Sequence, residues 1–500
     1  MAREAVLRES LWRRAGAWME RQSEHLNAIL IREIRRALNG RVFILAFLVL
    51  LFLCVMACFG AISASGDRAG AGWNVFSFLF MALCGISFLS LPLMVANLVY
   101  TEIKERTFEL LSITTLTAAR IVWGELMTAM GLFVLYTSAV APFMAFSYLL
   151  GGVDIRTIGT GIALAFLGSM ILSLVAVVTS AQRTGEASVR VVLAILAMIA
   201  FGLIVSLANG WNRPLEQMWD EPNIWKILLL GFTAYATLGA MLFTAATGQL
   251  TFASANRARP LRLAVAAHLI LTGLAAWPLH DEDLNLGLVL YALILLFGIG
   301  IVALGEGEDL TRRQLRTGWF GRRLPTLWSL FLPGARRGLA FVFTTGAVAV
   351  ILYSLVITFS IVTLDEKHYY RTLHAPLIAF SYLVLYLSSS YLLSLLLPLP
   401  LRRPLILRAI PVVLFIVTLL FPFILSLTLK LDIEDNPVVA AFHPLVFLVT
   451  MIDRYSFFNN AMVTVYGLYL LAGLVGAGMI LPILFSMKRA VNDREIGGRG

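Results

Sequence analysis

FLFMALCGISFLSLPLMVANLVY, residues 78 to 100, carries no charged side chain in 23 positions, and MTAMGLFVLYTSAVAPFMAFSYLL, residues 127 to 150, carries none in 24. Between them stands EIKERTFELLSITTLTAARIVWGEL, residues 102 to 126, which is short, charged and helix-prone. An apolar run of 18 or more residues is long enough to cross a hydrocarbon layer about 30 Å thick. The two flanking runs therefore read as membrane spans, and the segment between them as an excursion into water.

The rest of the chain repeats this alternation. Its 500 residues are 59% hydrophobic and only 14% charged, with a mean hydropathy of +0.86. Soluble domains carry about 25% charged residues. Backbone that crosses a bilayer must satisfy its own hydrogen bonds, which leaves helices or a closed barrel. A barrel needs segments of about ten residues alternating apolar and polar, and runs such as VLAILAMIAFGLIV (192 to 205) do not alternate. The expected fold is all-α: a polytopic helical membrane protein of about twelve transmembrane helices. They are centred on residues 42–62, 75–100, 122–149, 158–180, 191–208, 227–249, 263–279, 286–304, 338–363, 376–400, 409–429 and 462–487. The first apolar run begins at Val42 after a long basic segment, a pattern unlike that of a cleaved signal peptide.

Charge sets the expected orientation. With the N-terminus inside, 31 of the 39 Lys and Arg fall on the inner side and 8 on the outer. That bias predicts an inner-membrane protein with both termini cytoplasmic. The net charge of +10 then reflects topology and attraction to the inner leaflet. It does not indicate nucleic acid, for which a basic, aromatic-interleaved soluble module is the expected sign. Cys54, Cys58 and Cys84 lie inside the first two spans and read as small apolar fillers, leaving no extracellular pair for a disulfide.

Before the first span, Leu26, Leu30, Ile34 and Leu38 step by four, with Ile29 and Ala37 on the same face and Arg32, Glu33, Arg35 and Arg36 on the others. This pattern predicts an amphipathic helix lying in the cytoplasmic interface. On the outer side, WNRPLEQMWDEPNIWK (211 to 226) brings Trp211, Trp219 and Trp225 to an aromatic belt. Residues 435 to 460 hold an apolar stretch too short to span, bracketed by Asn436-Pro437 and His443-Pro444, which suits a re-entrant or interfacial element. The layout divides into a cytoplasmic segment (1–41), a first six-helix unit (42–250), a cytoplasmic linker (251–262), a second six-helix unit (263–487) and a tail (488–500). Each half places its longest polar cytoplasmic element between its second and third spans, which suggests two fused six-helix halves.

Much of the functional reading comes from what the spans lack. Ionisable groups inside membranes mark ion pathways and proton relays. His268 is the one mid-span candidate, and a lone His more often bonds neighbouring helices. An ion-coupled carrier is thereby disfavoured. His280 with Asp281, Glu282 and Asp283, and His368 with Asp365 and Glu366, sit in outer loops and read as solvated charge rather than metal ligands. No His-Glu-x-x-His helix, no Gly-x-Ser-x-Gly elbow and no Gly-x-x-x-x-Gly-Lys-[Ser/Thr] loop occurs, so neither an intramembrane hydrolase nor a self-contained ATPase is expected.

Attention returns to residues 102 to 126. On a helix Leu110, Leu111 and Thr114 share one face, while Glu102, Glu105, Arg106 and Glu109 form a charged one. Glu102 and Arg106 make an i, i+4 pair of the favourable sense. An apolar tip with charged shoulders between two spans is suited to a partner's cleft; a solvated loop helix is the plain alternative. Glu-Arg-Thr-Phe-Glu-Leu-Leu-Ser-Ile-Thr-Thr-Leu (105 to 116), with Ile121 and Gly124, resembles the cytoplasmic loop between the second and third spans of ABC-2 type permeases, the membrane subunits of ATP-binding-cassette exporters. Arg106, Thr115 and Glu125 stand where that family's pattern has Gly, Pro and Lys.

The resemblance implies a transporter subunit, itself no enzyme, that couples a separate cytoplasmic ATPase to export. Its docking residues would be Glu102, Glu105, Arg106, Glu109, Leu110, Leu111, Thr114 and Thr115, braced by Arg32, Glu33, Arg35 and Arg36 of the interface helix. ATP would act through the partner, with no cofactor or metal bound by this chain. The working unit would be a homodimer or a pseudo-dimer within one chain, held in the lipid bilayer. A non-ATP-driven carrier and a membrane scaffold are the rival classes.

Overall fold

A hydrocarbon environment offers the backbone no hydrogen-bond partner, so each apolar run closes its own i to i−4 ladder. The computed structural model describes residues 34–63, 68–104, 117–181, 202, 219, 222–251, 255–279, 282–307, 329–360, 366–398, 402–429, 441, 443 and 464–479. Among them every regular element is helical and there is no strand. The helices are α1 (Arg41–Ser63), α2 (Arg68–Lys104), α3 (Ala118–Leu149), α4 (Ile155–Ser180), α5 (Ile224–Leu250), α6 (Ala258–Ala276), α7 (Glu282–Leu304), α8 (Ala335–Ser360), α9 (Glu366–Leu396) and α10 (Pro404–Leu429). A shorter apolar helix, α11, covers Thr464–Met479.

Among the described residues nine helices, α1 to α9, are long and apolar enough to cross a bilayer, which makes the chain a multi-pass helical membrane protein. The expected span at 191–208 lies, apart from residue 202, outside the described residues. Two sequence boundaries shift. The expected span 75–100 is the middle of the 37-residue α2. The expected span from 263 begins earlier, because α6 starts at Ala258 and takes Arg259 and Arg262 into the helix.

The chain divides into two compact units, Met1–Ile224 with Leu238–Thr251, and Trp225–Thr237 with Phe252–Gly500. In the first, α2 is the central helix, with Phe76, Leu79, Leu83, Cys84 and Leu91 fully enclosed by α1, α3 and α4. Lipid tails are as apolar as Leu, so close backbone approach rather than hydrophobicity drives this packing. A Cβ on Gly168 of α4 would fall 2.6 Å from Phe88, and one on Gly72 only 1.9 Å from the Gly151 carbonyl oxygen. Only glycine allows either contact. Some buried hydroxyls are satisfied within their own helices: Ser87 donates to the Leu83 carbonyl at 2.7 Å and Ser173 to that of Ser169 at 2.8 Å. By contrast α1 is apolar on all sides and exposes Leu45, Leu48, Phe52 and Phe59, as a lipid-facing helix does.

In the second unit α7, α8 and α9 pack together, again through small residues. Gly338 of α8 lies against Ala303 of α7, Gly300 against Leu387 of α9, and Gly346 against Phe380. Phe415 of α10 packs on Phe297 of α7 and Tyr386 of α9, pairs worth about 0.5–1.5 kcal/mol each beyond their area.

Candidate functional site

In the first unit two helices are longer than a bilayer needs. At 1.5 Å per residue, the 37 residues of α2 measure about 55 Å and the 32 of α3 about 48 Å. They run antiparallel: Gly72 approaches Gly151 near one end, and Ser90 Oγ donates to Tyr136 Oη at 3.1 Å midway. Lys104 and Ala118 are thus brought to the same end, with residues 105 to 116 linking them. Thr117 caps α3, its Oγ1 accepting from the Arg120 N–H at 3.4 Å.

Of the residues expected to dock a partner, Glu102 lies within α2. Glu105, Arg106, Glu109, Leu110, Leu111, Thr114 and Thr115 fall outside the described residues. So do Arg32 and Glu33 of the interface helix, whose residues 34–38 are helical. There the period-3.6 reading is visible in three dimensions. Ala37 is buried and Leu38 packs on the core, while Ile34 Cδ1 comes within 3.5 Å of the Cβ position of Gly131 on α3. Arg35 and Arg36 face outward and are exposed.

A further acidic residue entered the sequence reading only as a departure from the family pattern. Glu125 of α3 is 1% exposed, enclosed within a helix the sequence treats as clear of interior charge. The signal for it was present: Glu125 follows Gly124 and precedes Leu126 on the buried side of an otherwise apolar run.

The second unit contains a buried ion-pair knot. Arg262, 1% exposed, donates from Nη1 to the carbonyls of Leu330 and Leu332, both at 2.7 Å, and from Nη2 to Glu306 Oε2. Glu306 also accepts the Gly334 N–H at 2.9 Å. Burial pushes the Glu306 carboxyl upward from its ordinary range, while Arg262, the Gly334 N–H and Arg408 pull it back. Arg262 thereby joins the start of α6, the end of α7 and the turn before α8. The sequence reading placed Arg262 in a cytoplasmic linker, as loop charge. The structure corrects this: Arg262 belongs to α6, and its side chain reaches two carbonyls supplied 68 and 70 residues away.

His268 is enclosed and bonded at both ring nitrogens, Nδ1 to Thr237 Oγ1 at 2.6 Å and Nε2 to Tyr291 Oη at 3.0 Å. Thr237 spends its hydroxyl proton on the Thr233 carbonyl at 2.6 Å. Its oxygen is thereby left to accept from His268 Nδ1–H, and the Tyr291 hydroxyl completes the pair at Nε2. This is a helix-packing arrangement joining α5, α6 and α7.

Farther along, Tyr382 of α9 donates to the Ala441 carbonyl at 2.5 Å, and the buried His443 stands edge-on to Phe415 with centroids 4.7 Å apart. Tyr386 and Thr418 bond hydroxyl to hydroxyl. Tyr382 lies near the middle of α9 and Phe415 near the middle of α10, so residues 441 and 443 reach mid-helix depth after α10 has already ended at Leu429. The rest of residues 435 to 460, which the sequence reads as a re-entrant or interfacial element, lies outside the described residues.

Among the described residues no group of three or more His, Cys, Asp or Glu is arranged to hold a metal ion. No protein family, no curated protein and no solved structure matches this chain.

Proposed function

We propose that the chain is the membrane-spanning permease subunit of an ATP-driven ABC-2 type exporter, coupling hydrolysis by separate cytoplasmic ATPase subunits to substrate export. The observation that carries this reading is the pairing of α2 and α3. Both outrun the bilayer, both end on the side of the packed interface helix, and between their tips runs the acidic and apolar sequence from Glu105 to Leu116. In this reading twelve spans form two six-helix halves with both termini in the cytoplasm; division of the chain into two compact units near Thr251 supports that layout. The chain has no nucleotide-binding loop of its own, so ATP enters through the partner. Binding energy there would bias two arrangements of the spans with different access.

The test is purification of the tagged protein from native membranes in mild detergent, with the eluate assayed for ATP hydrolysis. A co-purifying soluble ATPase supports the reading. Function without any nucleotide-binding partner would favour a carrier for uncharged substrates, a second reading prompted by the uncharged polar cluster of Tyr382, Tyr386, Thr418 and His443 at mid-helix depth. Stable protein partners without flux would favour a scaffold.

A further inference from the structure

Five helices of the second unit begin or end at one level. The apolar stretches of α7 and α9 finish at Leu304 and Leu396, and those of α6, α8 and α10 start at Ala258, Ala335 and Pro404. Side-chain contacts tie these ends together. Arg262 joins the first turns of α6 to Glu306, just after α7, and to the turn before α8. A Cβ on Gly305 would fall 2.5 Å from Arg408 Nε of α10, and Arg336 of α8 reaches Tyr391 of α9. Because the apolar stretches all stop here, this level is one edge of the hydrocarbon layer. Charge at this edge is lopsided. Residues 255–262, 305–338 and 402–408 hold 13 Arg and 3 acids. One of those acids, Glu306, is engaged by Arg262 and the Gly334 N–H. So large a positive excess beside hydrocarbon calls for an anion.

One corner of this edge is shaped for a particular kind of anion. Arg402 folds back along the last turn of α9, donating from Nε to the Leu397 carbonyl at 3.0 Å and from Nη2 to that of Leu395 at 2.8 Å. Those bonds use two of its five donors and fix the plane of the guanidinium. Arg336 donates from Nε to Tyr391 Oη at 2.5 Å, with its guanidinium carbon 5.7 Å from the centre of that ring. Tyr391 stands one turn before Leu395, so both guanidiniums are tethered to the same stretch of α9, and both side chains are exposed. Beside them Leu392, Leu395 and Leu396, spaced i, i+3 and i+4, form an exposed apolar stripe that runs inward from the edge. Two fixed cations bordering bare leucines match a molecule with an anionic head and apolar chains. A small soluble anion would leave the leucines uncovered, and a soluble protein would not reach leucines that lie within the hydrocarbon layer.

We propose that Arg336 and Arg402, at the end of α9, hold the phosphate of an anionic phospholipid whose acyl chains lie along Leu392, Leu395 and Leu396. Arginine pairs with phosphate through charge-assisted, directional hydrogen bonds. Guanidiniums already fixed by protein contacts lose little freedom on binding, which separates a resident lipid from the passing lipids of the bilayer. In the orientation proposed above this edge faces the cytoplasmic leaflet, the one that holds anionic lipid. The inference depends neither on that orientation nor on the exporter reading.

The experiment uses the full chain in liposomes of phosphatidylcholine and phosphatidylglycerol, with a bimane fluorophore on Leu396→Cys, a position 80% exposed at the end of the stripe. The control is Leu45→Cys, exposed on α1 one turn from the exposed Arg41. The native Cys54 and Cys84 are buried in their helices; labelled wild type corrects for Cys58. Paired samples differ only in which of the two lipids carries bromine on its chains. The ratio of quenching by brominated phosphatidylglycerol to that by brominated phosphatidylcholine is expected to be about threefold higher at residue 396 than at residue 45. Equal ratios at the two positions overturn the site, and that comparison needs no arginine variant to fold. Arg336→Gln with Arg402→Gln is expected to bring the ratio at residue 396 down to that at residue 45. A ratio that survives this change overturns the two arginines as the headgroup contact. Millimolar inorganic phosphate is expected to leave the ratio at residue 396 unchanged. Loss of the ratio on adding it overturns the lipid in favour of a soluble anion.

Discussion

Arg262 and Glu306 are separated by 44 positions and meet as an ion pair, with Arg262 enclosed and Glu306 partly buried, whose remaining hydrogen bonds go to the turn before α8. Removing one partner of a buried pair leaves the other uncompensated, at a cost of about 3–5 kcal/mol. Arg262→Ala is expected to lower the thermal midpoint in detergent more than Glu306→Gln, because Arg262 also serves the Leu330 and Leu332 carbonyls. Fluorescence-detected size exclusion after heating measures both. Equal midpoints would mean that the carbonyl contacts contribute nothing.

Gly72→Ala places a methyl group against backbone, where no rotamer change can relieve it, 1.9 Å from the Gly151 oxygen and 2.7 Å from that of Ser147. Overpacking of this kind costs about 1–3 kcal/mol. Gly60→Ala meets nothing within 4 Å and is the matched control. The pair should separate clearly in the same melting assay.

Tyr382→Phe removes the hydroxyl that holds the Ala441 carbonyl, and Tyr386→Phe the one bonded to Thr418. Interhelical hydrogen bonds in membranes average about 0.6 kcal/mol, so neither change should unfold the protein. Only Tyr382→Phe should loosen the contact at Ala441, read as faster hydrogen exchange at the Ala441 and His443 amides.

Charge reversal at Glu105 and Glu109 together should uncouple ATP hydrolysis from transport while leaving the melting profile unchanged. Transport coupled as in wild type would remove the docking role of the 102–116 segment.

Thr237→Val and Tyr291→Phe each delete one of the two bonds to the His268 ring. Packing alone predicts small, nearly additive losses in a double-mutant cycle and no new pH dependence of stability. Strong coupling that changes with pH would mark His268 as a titrating group instead.

Spans were legible in the sequence because a bilayer imposes a length that any apolar run of 18 residues announces. Their ends were not, since a helix that continues into water keeps its hydrogen bonds while losing its apolar signature, as α2 does on reaching Lys104 and α6 does at Arg259. The apolar face just before α1 was legible through the spacing of Ile34, Ala37 and Leu38, which do pack inward. Arg262 was misplaced for a different reason: its carboxylate and carbonyl partners are brought to it only by the tertiary fold. The burial of Glu125 went unread because one acid near the start of a helix looks like an end charge, whereas the packing of α3 encloses it.

The position of Ala441 and His443 also orders events in time. Their receptor consists of side chains on α9 and α10, which leave the ribosome earlier and cross the membrane first. Until those side chains are in place neither the Tyr382–Ala441 bond nor the Phe415–His443 contact can form, so both are late contacts of biogenesis.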